Sequence, residues 1–319
     1  MLYNLNICNC NIHISIANEM LSKYIINRYI GFVSSNSAAI GLIISDLDKL
    51  ELQNSYGINP SADNSNHITN QVKDGLDIEY ISDIAIIVND TEKNSCRIFV
   101  QEHVNEKYIN LIGVRICDKI NEYLASNQVF CIHSSVVTFK NKADDGIMFI
   151  GDSGVGKTSL AYEFVKKGEQ LTNDDVAFVQ IKNGSLIAYK NTQYIGMDDE
   201  SIERLYSECG DYIVKRDGLL LDKNRIDLSQ LHKDAFAGKI EIKRIVVVEK
   251  QRQEKASICQ FDDILAYANL FKSIVPFSTT KRAMTSDIFD RIISIRLPIY
   301  KLLPANTAAA TINYLYENL

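Results

Sequence analysis

The sequence predicts an α/β fold, with a core on a mixed sheet over residues 129–319 and a smaller α+β domain before it over residues 1–128. Three observations carry this. A Gly-rich octapeptide, residues 151–158, lies between a short apolar run at 147–150 and an amphipathic stretch at 159–167. Further β-branched runs at 129–139 and 244–249 flank it, with helical patterns between. Upstream, two β-branched runs joined by a polar turn lead into one long helical pattern, with no chemical signature of their own.

The composition fits this division. The chain has 319 residues, enough for one large or two modest domains, and 46% of them are apolar. Only 4 Pro and 15 Gly exclude a collagenous or low-complexity chain. With 34 Lys+Arg against 40 Asp+Glu, the net charge is −6, which argues against coating nucleic acid, since that needs clustered cations. The seven cysteines, at 8, 10, 96, 117, 131, 209 and 259, form no C-x-x-C pair and fit reduced thiols in a cytoplasmic protein. Cys8 and Cys10 read as alternate residues of one strand, because no second ligand pair lies nearby. No signal peptide is expected, since no basic segment precedes an apolar run at the start. The longest uncharged stretch, 29–45, is broken by Ser34, Ser35, Asn36 and Ser37 and falls short of the ~20 apolar residues of a membrane helix, so no membrane partner is expected.

Taken in order, residues 1–60 alternate apolar and polar in places, as at Ile12, Ile14 and Ile16, and read as strands and turns. Residues 54–70, rich in Asn, Ser and Gly, read as a loop. Residues 84–88 and 96–100 read as a β-hairpin around polar 89–94. Ile109, Ile112, Ile116, Ile120, Tyr123 and Leu124 then share one face of a helix. Residues 129–139 read as one strand, 141–146 as a polar turn, and 147–150 as an antiparallel partner strand. A helix over 159–167 places Leu160, Ala161, Phe164 and Val165 on one face, and Gly168 suits the left-handed residue that ends it. A short strand over 169–172 and a buried strand over 244–249 follow, and no internal repeat is present.

Gly151-Asp152-Ser153-Gly154-Val155-Gly156-Lys157-Thr158 matches G-x-x-x-x-G-K-[ST] at every specified position, after a strand and before a helix. Glycines let the backbone curl so that successive N–H groups point at a phosphate, and the helix N-terminus adds its positive end. Lys157 is placed to reach the β- and γ-phosphates and the Thr158 hydroxyl to ligate Mg²⁺, with Ser159 next along the site. Asn173-Asp174-Asp175-Val176 follows the loop helix and a short strand. Two adjacent carboxylates cannot both face one way, so one can hold the metal while its neighbour points to an acceptor hydroxyl. Without the Gly-rich loop the same pair would read as a solvated turn. His133, in Ile132-His133-Ser134-Ser135-Val136, taken alone is either a structural strand histidine or a site residue. Asn141-Lys142-Ala143-Asp144 looks like the guanine-reading N-K-x-D, but that signature follows the Gly-rich loop and this one precedes it.

The ordered set of His133-Ser134-Ser135, the Gly-rich loop and Asp174-Asp175 resembles the HPr kinase/phosphorylase superfamily, whose kinase core is similar to phosphoenolpyruvate carboxykinase. In ordinary P-loop ATPases the acid usually ends a long apolar strand, whereas here the acids follow one helix and a polar strand. The resemblance covers residues 129–319, continuing more weakly through 219–231, 242–250 and 293–302, which look like later strands of that family. It implies a P-loop kinase core with a mixed sheet, phosphates bound by residues 151–158, Asp174 as general base, His133 beside the acids, and Asp175 helping Thr158 hold Mg²⁺. The bifunctional enzymes have Glu after the loop Ser/Thr and a downstream E-x-R-G-x-G segment; this chain has Ser159 and lacks the segment, which leaves the reverse phosphorylase activity and HPr itself outside the expectation. The hairpin and helix before the His-containing strand look more like smaller family members that phosphorylate a serine of a ribosomally made precursor peptide, as in lasso-peptide pathways. The function implied is an ATP- and Mg²⁺-dependent kinase acting on a serine of a peptide or protein, with a homo-oligomer implied on the same ground. A small-molecule kinase on the same core, or a nucleotide-binding regulatory protein without transfer, are the alternatives. Lys223 and Arg225 read either as contacts to the transferred phosphoryl group or as a solvated basic turn. Residues 1–128 are expected to choose the substrate.

Overall fold

In a computed structural model, the Gly-rich octapeptide leaves the carboxyl end of a strand inside a nine-stranded mixed sheet. The structure describes residues 2–8, 10–16, 18–29, 33–34, 41–46, 68–73, 75–81, 84–90, 95–101, 106–214, 224–261, 264–275 and 282–319. Its contacts divide the chain into two units, Met1–Tyr123 and Leu124–Leu319.

The first unit contains β1 (Leu2–Ile7), β2 (Cys10–Ile16), α1 (Glu19–Tyr29), β3 (Val33–Ser34), β4 (Gly41–Asp46), β5 (Ile68–Lys73), β6 (Leu76–Ile81), β7 (Ala85–Asp90), β8 (Ser95–Val100) and most of α2 (Glu106–Ser126). The strands form one sheet in the order β3-β1-β2-β4-β8-β7-β6-β5. Ile12, Ile14 and Ile16 are buried on alternate positions of β2, the period of two that a one-sided strand requires. The hairpin expected at 84–100 is the antiparallel pair β7–β8, and the apolar positions of 109–124 lie on α2, with Ile109, Ile112, Ile116, Ile120 and Leu124 buried. Three expectations need correction. Residues 19–29 are helical rather than strand or turn. Cys8 sits in the turn after β1 at φ 52 and Cys10 opens β2 opposite Ile7, so the two do not alternate along one strand. In the loop expected at 54–70, residues 68–70 already belong to β5, and 54–67 lie outside the described residues.

The second unit runs β9 (Val129–Ile132), β10 (Ser135–Phe139), β11 (Lys142–Ile150), α3 (Lys157–Lys166), β12 (Leu171–Asn173), β13 (Ala177–Lys182), β14 (Ser185–Tyr189), β15 (Tyr194–Met197), α4 (Asp199–Leu205), β16 (Ile213–Val214), β17 (Asn224–Asp227), α5 (Leu228–Leu231), β18 (Lys239–Val248), β19 (Ser257–Gln260), α6 (Ile264–Ser273), α7 (Arg282–Ser294), β20 (Ile299–Leu303) and α8 (Ala308–Asn318). β11 pairs with β10 antiparallel and with β18 parallel. Both faces of β11 are buried: Ile147 and Phe149 pack with Leu160 and Phe164 of α3 and Ile312 and Leu315 of α8, while Met148 and Ile150 pack with Leu270 of α6 and Ile288 and Ile292 of α7. Burial on both faces explains why this stretch reads as an unbroken apolar run.

The expected single strand over 129–139 is broken at His133-Ser134. The strand order β12-β10-β11-β18-β14-β13-β9 puts β9 and β10 near opposite ends of the sheet, and likewise β12 and β13. Two residues cannot cross a flat sheet of that width, so the sheet curls until its ends meet at a seam. The two crossing segments bind each other there: Ser134 N–H donates to the Asp175 carbonyl at 3.1 Å, and Asn173 Nδ2 donates to the Ser134 carbonyl at 2.7 Å. Other boundaries shift as well. The turn expected over 141–146 shrinks to Lys140 and Asn141, whose φ values of 58 and 55 make a tight hairpin, and β11 begins at Lys142. α3 begins at Lys157 instead of 159, β12 replaces the strand expected at 169–172, and β18 extends the strand at 244–249 backward to Lys239. Gly168 ends α3's turn at φ 91 as expected. Of the later strands, residues 293–294 still belong to α7, and 219–223 lie outside the described residues.

Candidate active site

The loop glycines occupy backbone conformations that side chains resist. Gly151 has φ 139, and a Cβ on it would come within 2.6 Å of the Val248 carbonyl oxygen; Gly156, the residue before α3, has φ 101. Gly156 supplies no side-chain cap, so no capping side chain occupies the first N–H groups of α3. Lys157 is only 7% exposed, and its ammonium donates to the carbonyls of Gly151 and Asp152, both at 2.9 Å, which holds the loop curled over the helix start.

The acids arrive from the seam. Asp174 Oδ1 accepts from Thr158 Oγ1 and from Ser135 Oγ, both at 2.9 Å, and Oδ2 accepts from Gly196 N–H at 3.0 Å. Burial of this carboxyl raises its pKa; the three hydrogen bonds oppose that rise, and the charge of Asp175 adds to it. Asp175 takes φ 72, left-handed for a non-glycine residue, which turns its side chain away from that of Asp174. It stands 64% exposed, and its Oδ1 lies 3.3 Å from Nε2 of His133.

These groups share one pocket of about 140 Å³, lined among others by His133, Ser153, Gly154, Gly156, Lys157, Thr158, Ser159, Asp174 and Asp175. Gly151 and Asp152 shape it through their carbonyls on Lys157, while the Val155 side chain packs into the core. The Thr158 hydroxyl donates to Asp174, because the seam delivers the first acid to the start of α3, while the left-handed turn carries the second, the acid expected to hold Mg²⁺ with Thr158, to the side of His133. Mg²⁺ favours one or two carboxylates together with substrate phosphates over an all-protein cage, and Thr158 with Asp174 offers hard oxygens of that kind. Arg225 lies on β17 directly opposite Gly196, with its guanidinium 5.9 Å above the Tyr194 ring, and does not line the pocket. Lys223 lies outside the described residues. Ser135, from the His133-Ser134-Ser135 run, also lines the pocket, as do Gly196 and Arg252, which carry no motif that would have selected them.

No family model matches the chain. Part of it is similar to curated proteins named HPr kinase/phosphorylase: one from Clostridium botulinum (strain Eklund 17B / Type B) is 27% identical over 110 residues, covering 34% of this chain and 33% of that protein. One from Prosthecochloris aestuarii is 29% identical over 98 residues, covering 31% and 26%, and one from Clostridium beijerinckii is 30% identical over 90 residues, covering 28% and 29%. The chain thus spans about a third or less of the length of these relatives. A solved structure of the Hpr(Ser) kinase/phosphatase from Coxiella burnetii aligns with 59% of this chain and 94% of its own at 17% identity and a TM-score of 0.33. Over the matched stretch the chain is related to the HPr-kinase-like superfamily.

Proposed function

We propose that this chain is an ATP- and Mg²⁺-dependent phosphotransferase that moves the γ-phosphoryl group to a serine hydroxyl of a peptide or protein, a ribosomally made precursor peptide being the favoured acceptor. The observation that carries the reading is the way the two acids divide within one pocket: Asp174 bonds to Thr158 at the start of the loop helix, and Asp175 lies beside His133. The relationship to proteins named HPr kinase/phosphorylase supports kinase chemistry. Residues 1–128 then read the acceptor, since the loop and acids supply only generic phosphate chemistry.

The loop N–H groups and Lys157 hold the phosphates. Mg²⁺, when bound by Thr158 and Asp174, offsets charge on the phosphate oxygens. Asp175 takes the proton of the serine hydroxyl as its oxygen bonds to phosphorus and the bond to ADP breaks; His133 orients the carboxylate that receives the proton. This gives the base role to Asp175 and the metal to Asp174, the reverse of the assignment that the family resemblance implies. The reading is tested by incubating the full chain with γ-labelled ATP, Mg²⁺ and serine-bearing peptides encoded beside its gene, with mass spectrometry of the products. Label on a peptide serine is the expected outcome. Label on a free metabolite with no peptide present would move the acceptor to a small molecule, and nucleotide binding with no turnover would make the chain a regulator.

A further inference from the structure

Asp175 sits in a turn that L-residues avoid. Val176 N–H donates back to the Asp174 carbonyl at 3.0 Å, around Asp175 at φ 72. A hydrogen bond closed over three residues about a central residue at positive φ is the rare, strained form of the γ-turn. Glycine takes this φ at far less cost, yet the residue here is the exposed aspartate beside His133. Strain of this kind persists only where the surrounding structure fixes it.

Contacts on both sides fix the turn from outside. Ser134 N–H holds the Asp175 carbonyl at 3.1 Å. On the entry side Asn173, fully buried, donates Nδ2 to the Ser134 carbonyl at 2.7 Å and accepts from Thr172 Oγ1 at 3.0 Å. On the exit side Asn191, in the link between β14 and β15, donates Nδ2 to the Val176 carbonyl, and its backbone N–H donates to the Thr172 carbonyl at 3.1 Å. Asn191 thus spans the turn, tied to the chain before Asp174 and after Asp175. Its buried Oδ1 has no hydrogen-bond partner among the described residues. A buried acceptor left unsatisfied costs stability, a cost that an apolar side chain of the same size avoids; what that side chain could not supply is the bond to Val176. His133 is fixed in the same manner, its N–H donating to the Ser273 carbonyl at the end of α6 at 2.7 Å. The side-chain bonds of Asp174, to Thr158, Ser135 and Gly196, include neither asparagine.

We propose that Asn191 is a positioning residue: together with Asn173 it clamps the strained turn so that the Asp175 carboxylate is aimed at His133 and the acceptor, separately from the setting of Asp174. The inference rests on the reading of Asp175 as the base. Thermal unfolding of the full chain tests the clamp without any acceptor. Asp175→Gly should melt about 3 °C above Asp175→Ala, since both lose the carboxylate and only glycine relieves the positive φ. With Asn191→Leu added to each, that gap should close to less than about 1 °C, because the freed turn can relax; Asn191→Ser repeats the comparison should the leucine variants not fold. Equal melting of the first pair would overturn the strained turn, and a gap that survives both Asn191 substitutions would overturn the clamp. In transfer to the serine peptide labelled by the wild type, Asn191→Leu should lower kcat about 10²-fold and leave Mg·ATP affinity within about twofold, and adding Asp175→Asn should cost less than about twofold more. Losses that multiply, or a matching loss of Mg·ATP affinity, would make Asn191 a structural residue only. A wild type that labels no peptide would count against the kinase reading, while the melting comparison still decides the clamp.

Discussion

In the N-terminal unit, Arg115 on α2 reaches Glu79 of β6 at 3.1 Å and Asp118 at 3.5 Å, and Lys119 reaches Glu122 at 3.5 Å, all with side chains largely out of solvent. In the C-terminal unit, Asp174 is enclosed by a threonine hydroxyl, a serine hydroxyl and a backbone amide from three different elements. The first arrangement cancels charge against charge within one helix and the strand beside it. The second surrounds one carboxylate with neutral donors, so its negative charge remains available to a cation entering the pocket. Buried ions that pair locally are a packing solution, whereas a buried ion held by neutral groups at a pocket wall points to a ligand.

Several substitutions break or sharpen that contrast. Lys157→Ala should lower transfer by about 10³-fold in a steady-state assay, with the fold intact by circular dichroism. Asp175→Asn should cost about 10²–10³-fold in transfer while Mg·ATP affinity holds, and Asp174→Asn should instead weaken the dependence on Mg²⁺. The opposite pattern would return the base role to Asp174.

The paired cluster makes a different kind of prediction. Burial outweighs Arg115 and raises the Asp118 pKa from 3.8 to about 6, so the folded chain holds this proton more tightly than the unfolded one. The stability this contributes is full below the ordinary value and is lost as pH rises through the folded value, a loss of order 3 kcal/mol between about pH 4 and pH 7. Asp118→Asn should flatten that slope in urea titrations and leave transfer per folded molecule unchanged; a fall in transfer would mean that the cluster does more than pack. The smallest effect belongs to Tyr316→Phe, which removes a donor to the buried Glu169 and should cost about 1 kcal/mol in thermal unfolding, with kinetics untouched.

The parts of the site legible in the sequence are those written in consecutive residues. Loop glycines, the lysine and the helix that follows form one local unit, and the motif specifies its backbone before any long-range contact is made. Adjacent carboxylates likewise had to diverge, and the left-handed Asp175 shows how they do. The break at His133 was not legible, because 129–139 is apolar and β-branched on both sides of it and only sheet closure demands an interruption. Arg252 was not legible either, since a lone arginine after a buried strand gains its meaning from Asn306 and Gly156, which are distant in sequence.

By itself, then, the sequence determined a phosphate-binding loop, an acid pair behind it and an α/β core, because periodicity and glycine conformation act over a few residues. Only the tertiary structure decided which acid faces Thr158 and which faces His133. That choice depends on Ser134 and Ser135 meeting the acids at the seam of a curled sheet and on Gly196 of β15 reaching Asp174, through hydrogen bonds between segments that are distant along the chain.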